Sequence, residues 1–157
     1  MARHAVLAIF VGRLLAACGG DDGGGGDPPL FPADYAATYQ QVRNCRNSLD
    51  HDLMRIRVLA SPDALQPYTG RTAPFPAGAI VLKEQYADSD TACAGPIVKF
   101  TVMQKLEGDG PAGSLGWSWQ EVNADRRVNT ESIARCTGCH ADCGKPPEGY
   151  AGTCTVP

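Results

Sequence analysis

Residues 53–60 read LMRIRVLA, with Met54, Ile56 and Val58 alternating against Arg55 and Arg57. A period of two is the mark of a strand with one dry and one wet face. The segments downstream continue in the same style. SPDALQPY (61–68) supplies a serine cap, a proline at the first helical position and a short helix. TGRTAPFPAG (69–78) is a loop, and AIVLK (79–83) is a second strand. IVKFTVMQKL (97–106) is a third strand, Gly108 to Gly116 a glycine-rich hairpin connection, and WSWQEV (117–122) a fourth strand with Trp117 and Trp119 on one face. The GDG of that connection is a plain turn, because no helix follows it as a phosphate loop requires. Upstream, Pro32 and Asp34 mark a helix start, and Tyr35, Tyr39, Val42, Cys45 and Leu49 recur at helical spacing. The expected fold is α+β: a mostly antiparallel sheet with an N-terminal amphipathic helix, Cys45 on its buried side, and a C-terminal helix.

That last helix carries CTGCH, Cys136 to His140, with Thr130 as its expected cap and Ile133, Cys136 and His140 on one face. Two thiols one turn apart reach the two vinyl groups on one edge of a haem, while the adjacent imidazole ligates iron, so the spacing reads as attachment of one covalent haem c. Cys136, Cys139, His140 and Cys143 also make a four-ligand set for structural zinc. The motif's position excludes the all-helical electron carriers, which attach haem near the N-terminus and take a methionine ligand from well downstream. Any distal partner here comes from upstream.

At 157 residues the chain has room for one core. Its N-terminus resembles a bacterial lipoprotein signal: an apolar stretch, AVLAIFVG, then LLAAC ending on Cys18, although Arg13 interrupts the apolar segment. The expected division is a signal over 1–17, a Gly/Asp/Pro-rich tether over 18–31, and a folded domain over 32–157. Lipidation at Cys18, preferred to an ordinary cleaved signal that leaves a spare cysteine, is expected to place the protein on the periplasmic side of a bacterial membrane, the outer one. Loss of residues 1–17 removes two arginines and no acid, leaving 12 bases against 17 acids and a net charge of −5. Nothing in that balance invites nucleic acid.

Four blocks in order, RVLASPDALQPYTG, FPAGAIVLKE, GWSWQEV and CTGCH, resemble the cytochrome P-460 family, which includes the cytochrome c prime-beta proteins. The resemblance covers roughly residues 52 to 140, and FPAGAIVLKE is its most specific part. It implies a mostly antiparallel β protein, a homodimer and a five-coordinate haem. In the hydroxylamine-oxidising members a strand lysine is cross-linked to the porphyrin, and Lys83 stands at that place. Alternation puts Lys83 with Ala79 and Val81 but leaves open whether that face meets haem or water. Catalytic members also hold a carboxylate over the distal side as general base, and Glu107 is the nearest match.

His51 is the one histidine besides His140 after residue 17. In LDHDL, between helix and strand, it reads as a turn residue bonded to backbone. Met54 and Met103 read as packing, and the two tryptophans as core or haem wall. With Cys18, Cys136 and Cys139 assigned, Cys45, Cys93, Cys143 and Cys154 remain. Three pairings are open to them, and we prefer Cys45 with Cys93 and Cys143 with Cys154. This even remainder favours haem over zinc, since a zinc site using Cys143 leaves an odd set in an exported protein.

Two functions follow, with a structural zinc module, which predicts a colourless protein, as a third. One is an enzyme resembling a hydroxylamine oxidoreductase, redox-active toward hydroxylamine or nitric oxide and passing single electrons to a partner protein. The other is a non-enzymatic gas-binding or electron-carrying cytochrome whose distal side is capped by apolar groups, with Phe75 and Phe100 as candidate caps.

Overall fold

The structure is a computed structural model that describes residues 26–130, 133–146 and 149–154. The expected signal, Cys18 and the part of the expected tether before residue 26 lie outside the described residues. Six strands form one antiparallel sheet in strict chain order: β1 (Gln40–Asn47), β2 (Arg55–Ala60), β3 (Ile80–Tyr86), β4 (Lys99–Lys105), β5 (Trp117–Asn123) and β6 (Val128–Thr130). The helices are short: α1 (Tyr35–Thr38), α2 (Pro62–Gly70) and α3 (Ile133–His140), followed by a 3-10 turn over Ala141–Cys143.

The four strands expected from sequence are present as β2 to β5. The expected N-terminal helix is not. It is the single turn α1, after which Tyr39 turns extended and the chain enters β1. The register of β1 against β2 slips between Gln41 and Arg43 and again between Arg43 and Arg46. Such bulges insert extra residues between positions on one face, so an edge strand acquires the three- and four-residue spacings of a helix. Cys45 is therefore half-buried on an edge strand, and Leu49 is exposed. Ser61 precedes α2 as expected but does not cap it. Its hydroxyl accepts instead from Ile80 N at 2.9 Å, joining the helix start to β3. Thr130, the expected cap of α3, is the last residue of β6.

The sheet is covered on both faces. On one, Ile56, Val58, Val81, Met103, Trp117 and Trp119 pack with Ala64 and Tyr68 of α2 and with Phe75. On the other, Leu59, Ile80, Leu82, Phe100, Val102 and Val122 pack under Phe31 and Tyr35. Phe31 lies 5.0 Å from the Phe100 ring, and Leu30 N donates to Gln120 Oε1 at 2.9 Å while Gln120 Nε2 donates to Pro28 O. Packing thus begins at Pro28, inside the segment expected to be tether.

The four remaining cysteines are paired as Cys45 with Cys93 and Cys143 with Cys154. Cys136 and Cys139 are free thiols.

Candidate functional site

A cavity opens between the Val81 face of the sheet and α3. Its sheet wall includes Val81, Lys83, Gln85, Thr101, Met103 and Trp119. The β1–β2 turn contributes Ser48, Asp50, His51 and Asp52, and the C-terminal region contributes Arg135, Cys136, Cys139 and His140.

α3 delivers its three functional groups to this space. Cys136 is half-buried and Cys139 exposed, three residues apart on the helix. Burial pushes the Cys136 thiol up from its ordinary value. The His140 ring is buried, with its centroid 4.7 Å from that of Trp119 in an edge contact. Its Nδ1 lies 2.6 Å from Gly152 O. A carbonyl only accepts, so Nδ1 carries the proton and Nε2 keeps the lone pair that binds a metal. Burial, and then the charge of Lys83, push His140 down to about 4, so the ring is neutral at pH 7.

The tail that supplies Gly152 is itself tied down. Cys154 is bonded to Cys143, Trp117 Nε1 donates to Ala151 O at 2.9 Å, and Tyr150 OH donates to Ala73 O at 2.9 Å. The C-terminal disulfide thus holds the carbonyl that fixes the tautomer of His140.

Opposite α3, Lys83 is 6 % exposed although it sits in the middle of a central strand. Its Nζ is 2.9 Å from His51 Nε2. Burial brings Lys83 down to about 8 and, with the Lys83 charge second, His51 down to about 3. At neutral pH an ammonium therefore donates to a neutral imidazole. Gln85, two residues along the same face, is fully buried. Its Nε2 donates to Thr101 Oγ1 at 3.2 Å, while Oε1 has no hydrogen-bond partner among the described residues.

The structure brings together Lys83, Cys136, Cys139 and His140. It leaves out three other candidates. Glu107 is exposed in the turn after β4 and does not line the cavity. Phe100 is on the opposite face of the sheet, and Phe75 packs on Trp117 at 5.0 Å, away from the cavity lining. His51 lies in a turn as expected, but its imidazole reaches Lys83 rather than backbone. The sequence did carry a signal for it, as the one imidazole besides His140 after residue 17. Gln85 and Asp52 carried none.

The residues match a known family across most of the chain: the model described as Cytochrome P460 covers residues 32–145. The chain belongs to the cytochrome P460 family. Membership implies a c-type cytochrome with a haem cofactor. No curated protein matches the chain significantly.

The donor set suits the cofactor that the cytochrome P460 family implies. Two unpaired thiols at the spacing of a haem edge flank an imidazole whose free nitrogen is Nε2, and the cavity beside them has an apolar wall at Val81, Met103 and Trp119. It suits zinc less well, since Cys143, the fourth thiol of the zinc set, is consumed by its bond to Cys154.

Proposed function

We propose that the protein is an exported, lipid-anchored mono-haem c-type cytochrome that performs redox chemistry on small nitrogen compounds, with hydroxylamine favoured over nitric oxide. Cys136 and Cys139 hold the haem as thioethers, and His140 ligates its iron through Nε2. The observation that carries the preference for hydroxylamine is the polar part of the cavity wall: Lys83 and His51 line it, and Phe75 and Phe100, the candidate apolar caps, do not. The Lys83 ammonium is a donor, and hydroxylamine has an oxygen lone pair to accept from it, where nitric oxide is a poor acceptor.

Bound there, a haem would supply one-electron redox chemistry at its iron. The protein supplies the rest. Gly152 O and Trp119 fix the plane of His140 and keep its Nε2 on the cavity side. Arg46 is the cavity-lining cation that would meet a haem carboxylate. Lys83 brings an amine into the cavity at the position where the family's hydroxylamine-oxidising members carry a cross-link. Export is supported by the two disulfides, which an oxidising compartment produces.

The test is the optical spectrum of protein matured with a c-type haem assembly system, beside Lys83→Ala. A Soret band far to the red in wild type and ordinary in the variant supports the cross-link and hydroxylamine oxidation. Ordinary high-spin bands in both return the protein to gas binding or electron carriage. Stoichiometric zinc and no covalent haem after maturation overturns the reading. Anchoring is tested separately: Cys18→Ser moves the protein from the membrane fraction to the soluble one.

A further inference from the structure

We infer that His51 is the positioning residue of Lys83: its imidazole holds the amine inside the cavity, and the ion pairs of Asp52 hold the imidazole there. The inference deepens the proposed function and rests on it only for what the amine meets.

Lys83 has a four-carbon stem and a buried amine, and among the described residues Asp50 attracts it without forming an ion pair. Fixing such a side chain costs up to about 2 kcal/mol of rotamer entropy. The contact that offsets this is the 2.9 Å hydrogen bond to His51 Nε2. His51, however, does not belong to the sheet. It hangs from the turn between β1 and β2, closed by Ser48 N donating to Met54 O and Met54 N donating to His51 O, both at 3.0 Å.

That turn is not held by apolar burial. Leu49 is 78 % exposed and Leu53 60 % exposed. Its backbone is also strained, since Asp52 and Leu53 both adopt the left-handed region at φ 56° and 60°. That conformation costs about 1–2 kcal/mol per non-glycine residue. What fastens the turn is the Asp52 carboxylate, which accepts from Lys99 Nζ on β4 and from Arg135 Nη2 on α3, each at 2.7 Å. Arg135 immediately precedes Cys136, so one carboxylate pins the turn to both walls of the cavity and aims His51 between them.

The experiment uses the mature holoprotein and three variants. His51→Gln keeps a hydrogen-bond acceptor, His51→Phe fills the space without one, and Asp52→Asn removes the ion pairs. Intact proteins of equal haem content are treated with a small amine-acylating reagent, and modification of Lys83 is counted by peptide mass spectrometry against exposed Lys145. We expect His51→Phe to speed acylation of Lys83 by roughly tenfold, the effect of one lost hydrogen bond, with His51→Gln close to wild type and Asp52→Asn between them. If wild-type Lys83 is already joined to haem, the same order is read as the fraction of chains joined. A rate or fraction in His51→Phe equal to wild type overturns the inference, as does His51→Gln behaving like His51→Phe. An unchanged Asp52→Asn overturns the part assigned to the ion pairs. A wild type with no joined Lys83 sinks the cross-link and leaves the acylation comparison standing.

Discussion

Lys83 and Glu84 are neighbours, both buried, and they point to opposite faces of β3. Glu84 is satisfied from three sides, accepting from Arg57 Nε at 2.6 Å and from the Tyr35 and Tyr86 hydroxyls, each at 2.8 Å. Replacing one member of such a cluster leaves the others buried and unpaired, so Glu84→Gln is expected to cost about 2–4 kcal/mol in urea unfolding, with the haem spectrum unchanged. The phenols give a second prediction. Burial first, and the Glu84 hydrogen bond next, hold Tyr35 and Tyr86 well above the ordinary tyrosine range, and burial does the same for Tyr68. Unfolded tyrosines lose their protons near pH 10. Above that pH the unfolded chain binds fewer protons than the native one, so stability falls as pH rises. The urea midpoint should drop between pH 9 and 11, and the tyrosinate absorbance of these groups should appear together with unfolding rather than before it. The face of Lys83 was unreadable from VLKE for a related reason. Every residue of β3 is buried, so alternation carries no contrast between wet and dry.

Among the elements, β2 to β5 were legible because apolar alternation or paired aromatics marked them. β1 was misread because its two bulges break the period of two, and β6 went unseen because three residues are too few to display a period. The site was half legible in the same sense. A contiguous motif announces itself, whereas His51, Asp52 and Gln85 reach the cavity through a turn and a register that only the assembled sheet defines. The C-terminal tail offers an element-scale test. A methyl group on Gly149 would collide with the carbonyls of Cys143 and Thr153. Gly149→Ala is therefore expected to speed amide hydrogen exchange over residues 150–154, leaving protection of β2 to β5 intact. With Gly152 O displaced, the same variant should also loosen His140.

For the molecule as a whole, the Cys45–Cys93 bond joins edge strand β1 to the connection between β3 and β4 across a sequence separation of 48. Chain-entropy arguments make such a closure worth about 4 kcal/mol. Replacing both cysteines with alanine should lower the unfolding free energy by about that much and leave the cavity's absorption spectrum alone. The sheet these bonds brace has no crossover, since each strand pairs with the one before it. Contacts of this local kind form quickly, without long loops to close. β1 to β5 all precede Cys136 in the chain, so every sheet residue of the cavity wall is synthesised before the two thiols that close the cavity from the other side.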